Sequence, residues 1–281
     1  MKTILLPTDF SKNSINAIDY AMKLFKDVPC HFYVLNVQKA SAFISDDLMV
    51  VNSSTTIYTT IVDAAKKSIN NITAKIKKQY NNDNHHFETI VDYDNFIDAI
   101  NQATTKYHID LIVMGTKGAS GFAKVFFGSN TVKVMQRCNV PVLAIPDNCV
   151  FSNLGKIGFT SSFDSLYKLK DLQPLKQIMA LNKSKLYILH AVGENNFAEE
   201  MNRDIDFFRS NFKESSFQYL HVDDKDVYNT IYQYSAKNDI KMIAMSISKH
   251  SFFERLFNRH TFEEIAFNID IPFLVMKNTT D

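Results

Sequence analysis

Seven glycines occur in the chain, and four of them, Gly115, Gly118, Gly121 and Gly128, fall within fourteen consecutive residues. Glycine permits positive φ and lets a ligand approach the backbone, so a chain that otherwise avoids it concentrates it where geometry demands. The chemistry suggested is anion binding. The cluster follows the apolar run Leu111-Ile112-Val113-Met114, which reads as a strand, and Gly128-Ser129 opens a run of helical period containing Val132 and Met135. A helix N-terminus offers unpaired N–H groups and a partial positive charge, both suited to phosphate, and the Ser129 hydroxyl adds a donor. The plainer alternative is a tight turn after a strand, with Ser129 as an ordinary cap. Two familiar phosphate motifs are excluded, because no lysine stands between Gly128 and Ser129 and no Gly-x-Gly-x-x-Gly follows the first strand.

A carboxylate stands at a second position of interest, in Pro7-Thr8-Asp9-Phe10-Ser11 at the end of the opening apolar run. Alone, Asp9 reads equally as a cap or an Asx turn. What raises its interest is the framework around it. Short β-branched runs alternate with runs of helical period, an order that argues for a mainly parallel sheet with helices on both faces. In a doubly wound sheet of order 3-2-1-4-5 the first and fourth strands are neighbours, and ligands bind between their carboxyl ends. Asp9 and Gly115 then face each other.

The pattern occurs twice. His31-Phe32-Tyr33-Val34-Leu35-Asn36-Val37 is similar to Lys185-Leu186-Tyr187-Ile188-Leu189-His190-Ala191, and Val140-Pro141-Val142-Leu143-Ala144-Ile145 lies 131 residues before the similar Ile271-Pro272-Phe273-Leu274-Val275-Met276. The fold class expected is therefore α/β, as two tandem doubly wound five-stranded parallel-sheet domains, Rossmann-like and pseudo-twofold related, over residues 1–147 and 153–281. Strands are placed near 2–7, 31–37, 87–91, 110–114 and 141–145, then 156–160, 185–191, 217–222, 240–245 and 272–276. The segment from Asn36 to Gly115 is 79 positions, against 56 from His190 to Ser246, an excess that falls mainly in residues 38–55. A lid and a wandering surface loop or dimer contact are both open for that stretch.

The spacing Gly115-x2-Gly118-x9-Gly128-Ser129, with Pro7-Thr8-Asp9-Phe10-Ser11, resembles the ATP-binding members of the universal stress protein family. Because both halves share the pattern, the resemblance is to a tandem member. It implies ATP as the ligand, with or without Mg²⁺, in the first domain. Asp9 and the backbone near Val37 would hold the adenine end, with Pro7 and Thr8 also in the site, Met114 and Gly115 would flank the ribose, and Gly118, Gly128, Ser129 and the Asn130 amide would hold phosphates. At the 131-residue offset the second copy has Ser246, Lys249, Arg259 and His260 in place of Gly115, Gly118, Gly128 and Ser129, and Ser162 stands where Asp9 should be. Long side chains there would occupy the phosphate space, so one nucleotide per chain is expected.

No placed acid, base and nucleophile can be assembled, so catalysis, if any, is expected to stop at slow ATP hydrolysis. The adjacent pair His85-His86 reads as a polar loop before the third strand rather than a metal site. Thirty-one basic and 30 acidic residues give a charge of +1, which argues against a nucleic-acid or anionic-membrane surface. Pro7 and Asp9 interrupt the opening apolar run well short of a signal peptide. Three unpatterned cysteines, Cys30, Cys138 and Cys149, read as reduced, buried bystanders of a cytoplasmic protein. Three readings follow: an ATP-dependent stress-response sensor or regulatory module, a weak hydrolase, and an interaction protein whose first site is vestigial. The strands Val142–Ile145 and Phe273–Met276 are expected to pair as an internal pseudo-dimer, and a further homodimer is left open.

Overall fold

The computed structural model describes residues 2–38, 54–116, 128–161, 167–192, 198–221, 227–247 and 270–278. By contacts the chain divides into two compact units, one reaching Val140 and the other running Pro141–Asp281. In the first unit the elements run β1 (Lys2–Pro7), α1 (Lys12–Leu24), β2 (Cys30–Val37), α2 (Ser54–Tyr80), β3 (His85–Asp92), α3 (Phe96–Lys106), β4 (Leu111–Gly115) and α4 (Ser129–Arg137). The strands stand in the order β3-β2-β1-β4, and every pairing is parallel. Parallel strands are buried on both faces, which is why β1 and β4 read as unbroken apolar runs. Ile4, Leu5, Leu6, Ile112 and Val113 are completely buried. Helix α1 lies against β4 through the stripe formed by Ile18, Ala21, Met22 and Phe25, all buried.

The second unit holds β5 (Val142–Ile145), β6 (Lys156–Ser161), α5 (Gln173–Asn182), β7 (Lys185–Val192), α6 (Ala198–Asn211), β8 (Ser215–His221), α7 (Val227–Lys237), β9 (Met242–Ile247) and β10 (Phe273–Lys277). Its strand order is β5-β10-β9-β6-β7-β8. Counted from β6, the second repeat reads third, second, first, fourth, fifth, the complete 3-2-1-4-5 order. The first repeat shows the same order over its first four strands. Strand β5, last of the first repeat by sequence, belongs to the second unit because it pairs antiparallel with β10, Leu143 opposite Leu274. That is the pairing expected of these segments, and it covers an edge each would otherwise expose.

Registers confirm the duplication. Ile4 pairs with Leu111, and in the second repeat Ile157 pairs with Met242, the residue 131 positions beyond Leu111. The same equivalence sets Thr8 against Ser161 and Asn36 against His190. In the first unit Asn36 Nδ2 donates to the Thr8 carbonyl at 2.7 Å, and in the second His190 Nδ1 lies 3.1 Å from the Ser161 carbonyl. One expectation is corrected. His85 and His86 are the first residues of β3 rather than a loop. His85 is buried because its Nε2 reaches the Phe25 carbonyl at 3.0 Å, which satisfies one ring nitrogen in the interior.

Most of residues 38–55 lies outside the described residues, as does the glycine-rich stretch 117–127. Among the described residues no helix is long and apolar enough to cross a membrane. The second unit is centred on rings: Phe208 on α6, fully buried, lies 5.1 Å from Phe159, 5.3 Å from Tyr167 and 5.7 Å from Phe212 between centroids. Phe208→Ala is expected to cost about 3–5 kcal/mol by urea denaturation. A loss below about 1 kcal/mol would contradict a close-packed aromatic centre.

Candidate functional site

The carboxyl end of β1 is organised by short hydrogen bonds. Thr8 N–H donates to the Leu35 carbonyl at 2.8 Å and so extends the ladder one residue past Pro7. The chain then reverses through Phe10, whose φ of 65° is left-handed and unfavourable for a bulky residue. Two bonds hold the reversal: Phe10 N–H to Thr8 Oγ1 at 3.0 Å and Ser11 N–H to Asp9 Oδ1 at 3.1 Å. Asp9 is thereby presented exposed at the head of the turn. Ser11 caps α1 as expected, its Oγ accepting from Ser14 N–H at 3.2 Å. The buried Thr8 and Ser14 hydroxyls lie 2.9 Å apart, tying the strand end to the first helical turn.

The neighbouring strand β4 ends at Gly115, with Met114 buried just before it. Thr116 follows, and from there to Gly128 the chain makes its glycine-rich excursion. Both ends of that excursion are tied together: Gly128 N–H donates to the Thr116 carbonyl, and the buried Thr131 Oγ1 donates to the Gly115 carbonyl at 2.9 Å. Gly128 is the N-cap of α4 and carries no side chain to satisfy the first-turn amides. Ser129 and Asn130, the first residues of α4, are exposed. Ser129 is therefore not the cap, and among the described residues the first-turn amides of α4 have no side-chain cap.

Nine of the ten residues expected to form the site are described, and all belong to the first unit. Pro7, Thr8 and Asp9 end β1, half-buried Val37 ends β2, Met114 and Gly115 end β4, and Gly128, Ser129 and Asn130 open α4. Gly118 lies outside the described residues. Positive φ, one of the two reasons inferred from sequence, does not apply at Gly115 or Gly128. Among the described residues no glycine has positive φ, and Gly128 sits at φ −59°. What demands glycine at 115 is close approach: a β-carbon there would overlap Asn13 Oδ1 and lie 3.1 Å from the Asn13 backbone oxygen. Asn13, Thr131 and Asn36 were not singled out from sequence. Asn36 was visible only as the partner of His190 in the repeat comparison.

At the equivalent place in the second unit the side chains turn inward. The Ser161 hydroxyl, counterpart of Thr8, donates to Asp204 Oδ2 at 3.1 Å and lies 3.3 Å from the Tyr167 hydroxyl. Asp204 is almost completely buried, and burial pushes its carboxyl up to about 6, opposed by the Ser161 bond and by Arg203. Ser162, Lys249, Arg259 and His260 lie outside the described residues. Elsewhere, burial raises the thiols of Cys30 and Cys149 to about 11, which keeps them protonated and poor nucleophiles. Among the described residues no group of three or more His, Cys, Asp or Glu is placed to hold a metal ion.

A parallel sheet in the order β3-β2-β1-β4 with helices between its strands defines the doubly wound α/β class. The model of the universal stress protein family matches residues 1–146, and the chain belongs to that family. It is 26% identical over 144 residues to universal stress protein MJ0531 of Methanocaldococcus jannaschii, covering 51% of this chain and 81% of that one. A universal stress protein structure from Archaeoglobus fulgidus superposes with a TM-score of 0.71 at 18% identity, over 98% of both chains. Protein PA1789 of Pseudomonas aeruginosa, described as functionally unknown, gives 0.62 at 13% identity over 99% of this chain and 92% of that one. At these identities the two structures speak for the fold alone.

The Asp204 carboxyl gives a pH-dependent expectation. Its folded pKa of about 6 lies above the ordinary value of 3.8, so folding favours the protonated form. Its contribution is fully present below the ordinary value and is lost as pH rises through about 6. Asp204→Asn, which removes the charge, is expected to raise stability at pH 7.5 by on the order of 3 kcal/mol, with little effect at pH 4. Thermal melts across that range check this. An equal effect at both pH values would show that the buried charge is not the cause.

Proposed function

We propose that the first unit binds ATP at the carboxyl ends of β1 and β4 and acts as a nucleotide-dependent sensor or regulatory module in a stress response, with one nucleotide per chain. The observation that carries this reading is the α4 N-terminus: exposed, without a side-chain cap, and tied by Gly128 and Thr131 to the end of β4. Such a terminus suits the phosphates. It stands at the end of the family's spacing Gly115-x2-Gly118-x9-Gly128-Ser129.

In this reading Asp9 and the Val37 backbone take the adenine end, with Pro7 and Thr8 also in the site, Met114 and Gly115 take the ribose, and Gly118, Gly128, Ser129 and the Asn130 amide the phosphates. Mg²⁺ would accompany the phosphates and neutralise part of their charge. Residues 1–147 form the binding domain, and 153–281 form a domain of the same fold that has lost the site. A cytoplasmic protein that recognises adenine nucleotide rather than nucleic acid or membrane fits the near-neutral charge.

The test is to denature the purified protein by heat, chromatograph the supernatant for adenine nucleotides, and titrate the nucleotide-free protein with ATP. Bound or titratable ATP is expected. Asp9→Ala is expected to weaken binding about tenfold or more, as loss of a charged hydrogen-bond partner does. A protein that is both empty and unresponsive to added ATP would sink the proposal, and steady phosphate release abolished by Asp9→Ala would favour the hydrolase instead.

A further inference from the structure

Gly115 belongs to the motif that the proposed function reads as ligand-contacting, yet the structure shows a different neighbour against its α-carbon. Asn13, in the first turn of α1, is buried, and among the described residues neither its Nδ2 nor its Oδ1 has a hydrogen-bond partner. A β-carbon on residue 115 would overlap Asn13 Oδ1, lie 2.8 Å from Asn13 Cγ, and approach the Asn13 backbone oxygen to 3.1 Å. The amide thus occupies the space of the missing side chain. The helix that carries the amide is held in place, because α1 is capped by Ser11 and tied to β1 through Ser14 and Thr8. Nor can β4 retreat, since it is paired with β1 and its last carbonyl is held by Thr131.

We propose that Asn13 is the residue that dictates glycine at position 115, and that the pair sets the spacing of α1 and β4 beneath the crevice. Asn13 is a positioning residue, and glycine at 115 is needed for packing against it beside the ribose contact proposed above. The second repeat supplies an internal comparison. In the second repeat α5 begins only at Gln173, and residues 167–172 are not helical. Where the capped helical turn is missing from those residues, the counterpart of Gly115 is Ser246, a residue with a β-carbon.

The inference rests on the nucleotide reading for its binding arm only. Gly115→Ala, Asn13→Ala and the double variant are compared with the parent chain by thermal melting and by ATP titration. Gly115→Ala alone is expected to lower Tm by about 5–10 °C, the usual effect of overpacking a buried site. Adding Asn13→Ala is expected to restore most of that loss in Tm. A double variant no more stable than Gly115→Ala would overturn the pairing. So would failure of Asn13→Ala to rescue an insoluble Gly115→Ala. A double variant that regains Tm while losing ATP, in a background where the parent binds it, would show that the ligand itself needs glycine at 115. If the parent binds no ATP, the functional reading fails, and the Tm comparison still decides the pairing.

Discussion

The parallel ladder that binds β1 to β2 on one side and β4 on the other is the constraint on which the site depends. It brings Pro7 and Gly115 to the same edge of a sheet that is buried on both faces. Every local device there works against that fixed edge: the left-handed turn at Phe10, the Ser11 cap, and the Thr131 bond that folds the start of α4 back onto β4. Without the ladder these would be isolated contacts of about 1 kcal/mol each. With it they orient a carboxylate and a helix N-terminus at neighbouring strand ends.

The two repeats show how one fold supports different edges. In the first unit Asn36 bonds to the Thr8 carbonyl, the Thr8 hydroxyl stays with α1, and Asp9 remains exposed. In the second, His190 reaches the equivalent carbonyl, but the Ser161 hydroxyl is taken by a carboxylate drawn in from α6 and covered by rings. An interior acid that burial holds at about 6 is a costly feature at neutral pH. The same equivalent edge that presents charge outward in one copy carries it inward in the other.

Much of the fold was legible because parallel strands must be continuously apolar and the helices must carry a stripe. Leu111–Met114 and the Ile18, Ala21, Met22 series are clear instances, and the repeat multiplied the signal. Strand ends were less legible: His85 and His86 look polar, yet a single carbonyl acceptor at Phe25 is enough to place His85 inside. For the site, the glycine spacing and Asp9 could be read directly. Asn13 could not, since an asparagine in the first turn of a helix looks like a solvated or capping residue until the neighbouring strand is known. The reason for Gly115 was hidden for the same cause, because the close approach is made by a residue 102 positions earlier. Positive φ, the usual inference from glycine, describes neither Gly115 nor Gly128.

The proposed ATP site lies in the first unit, at the start of α4, and the sequence of the second repeat has Ser246, Lys249, Arg259 and His260 at the equivalent motif positions. Calorimetric titration of the nucleotide-free full-length protein with ATP addresses it most directly. The account predicts saturation at one ATP per chain; two sites per chain, or no binding at all, would contradict it.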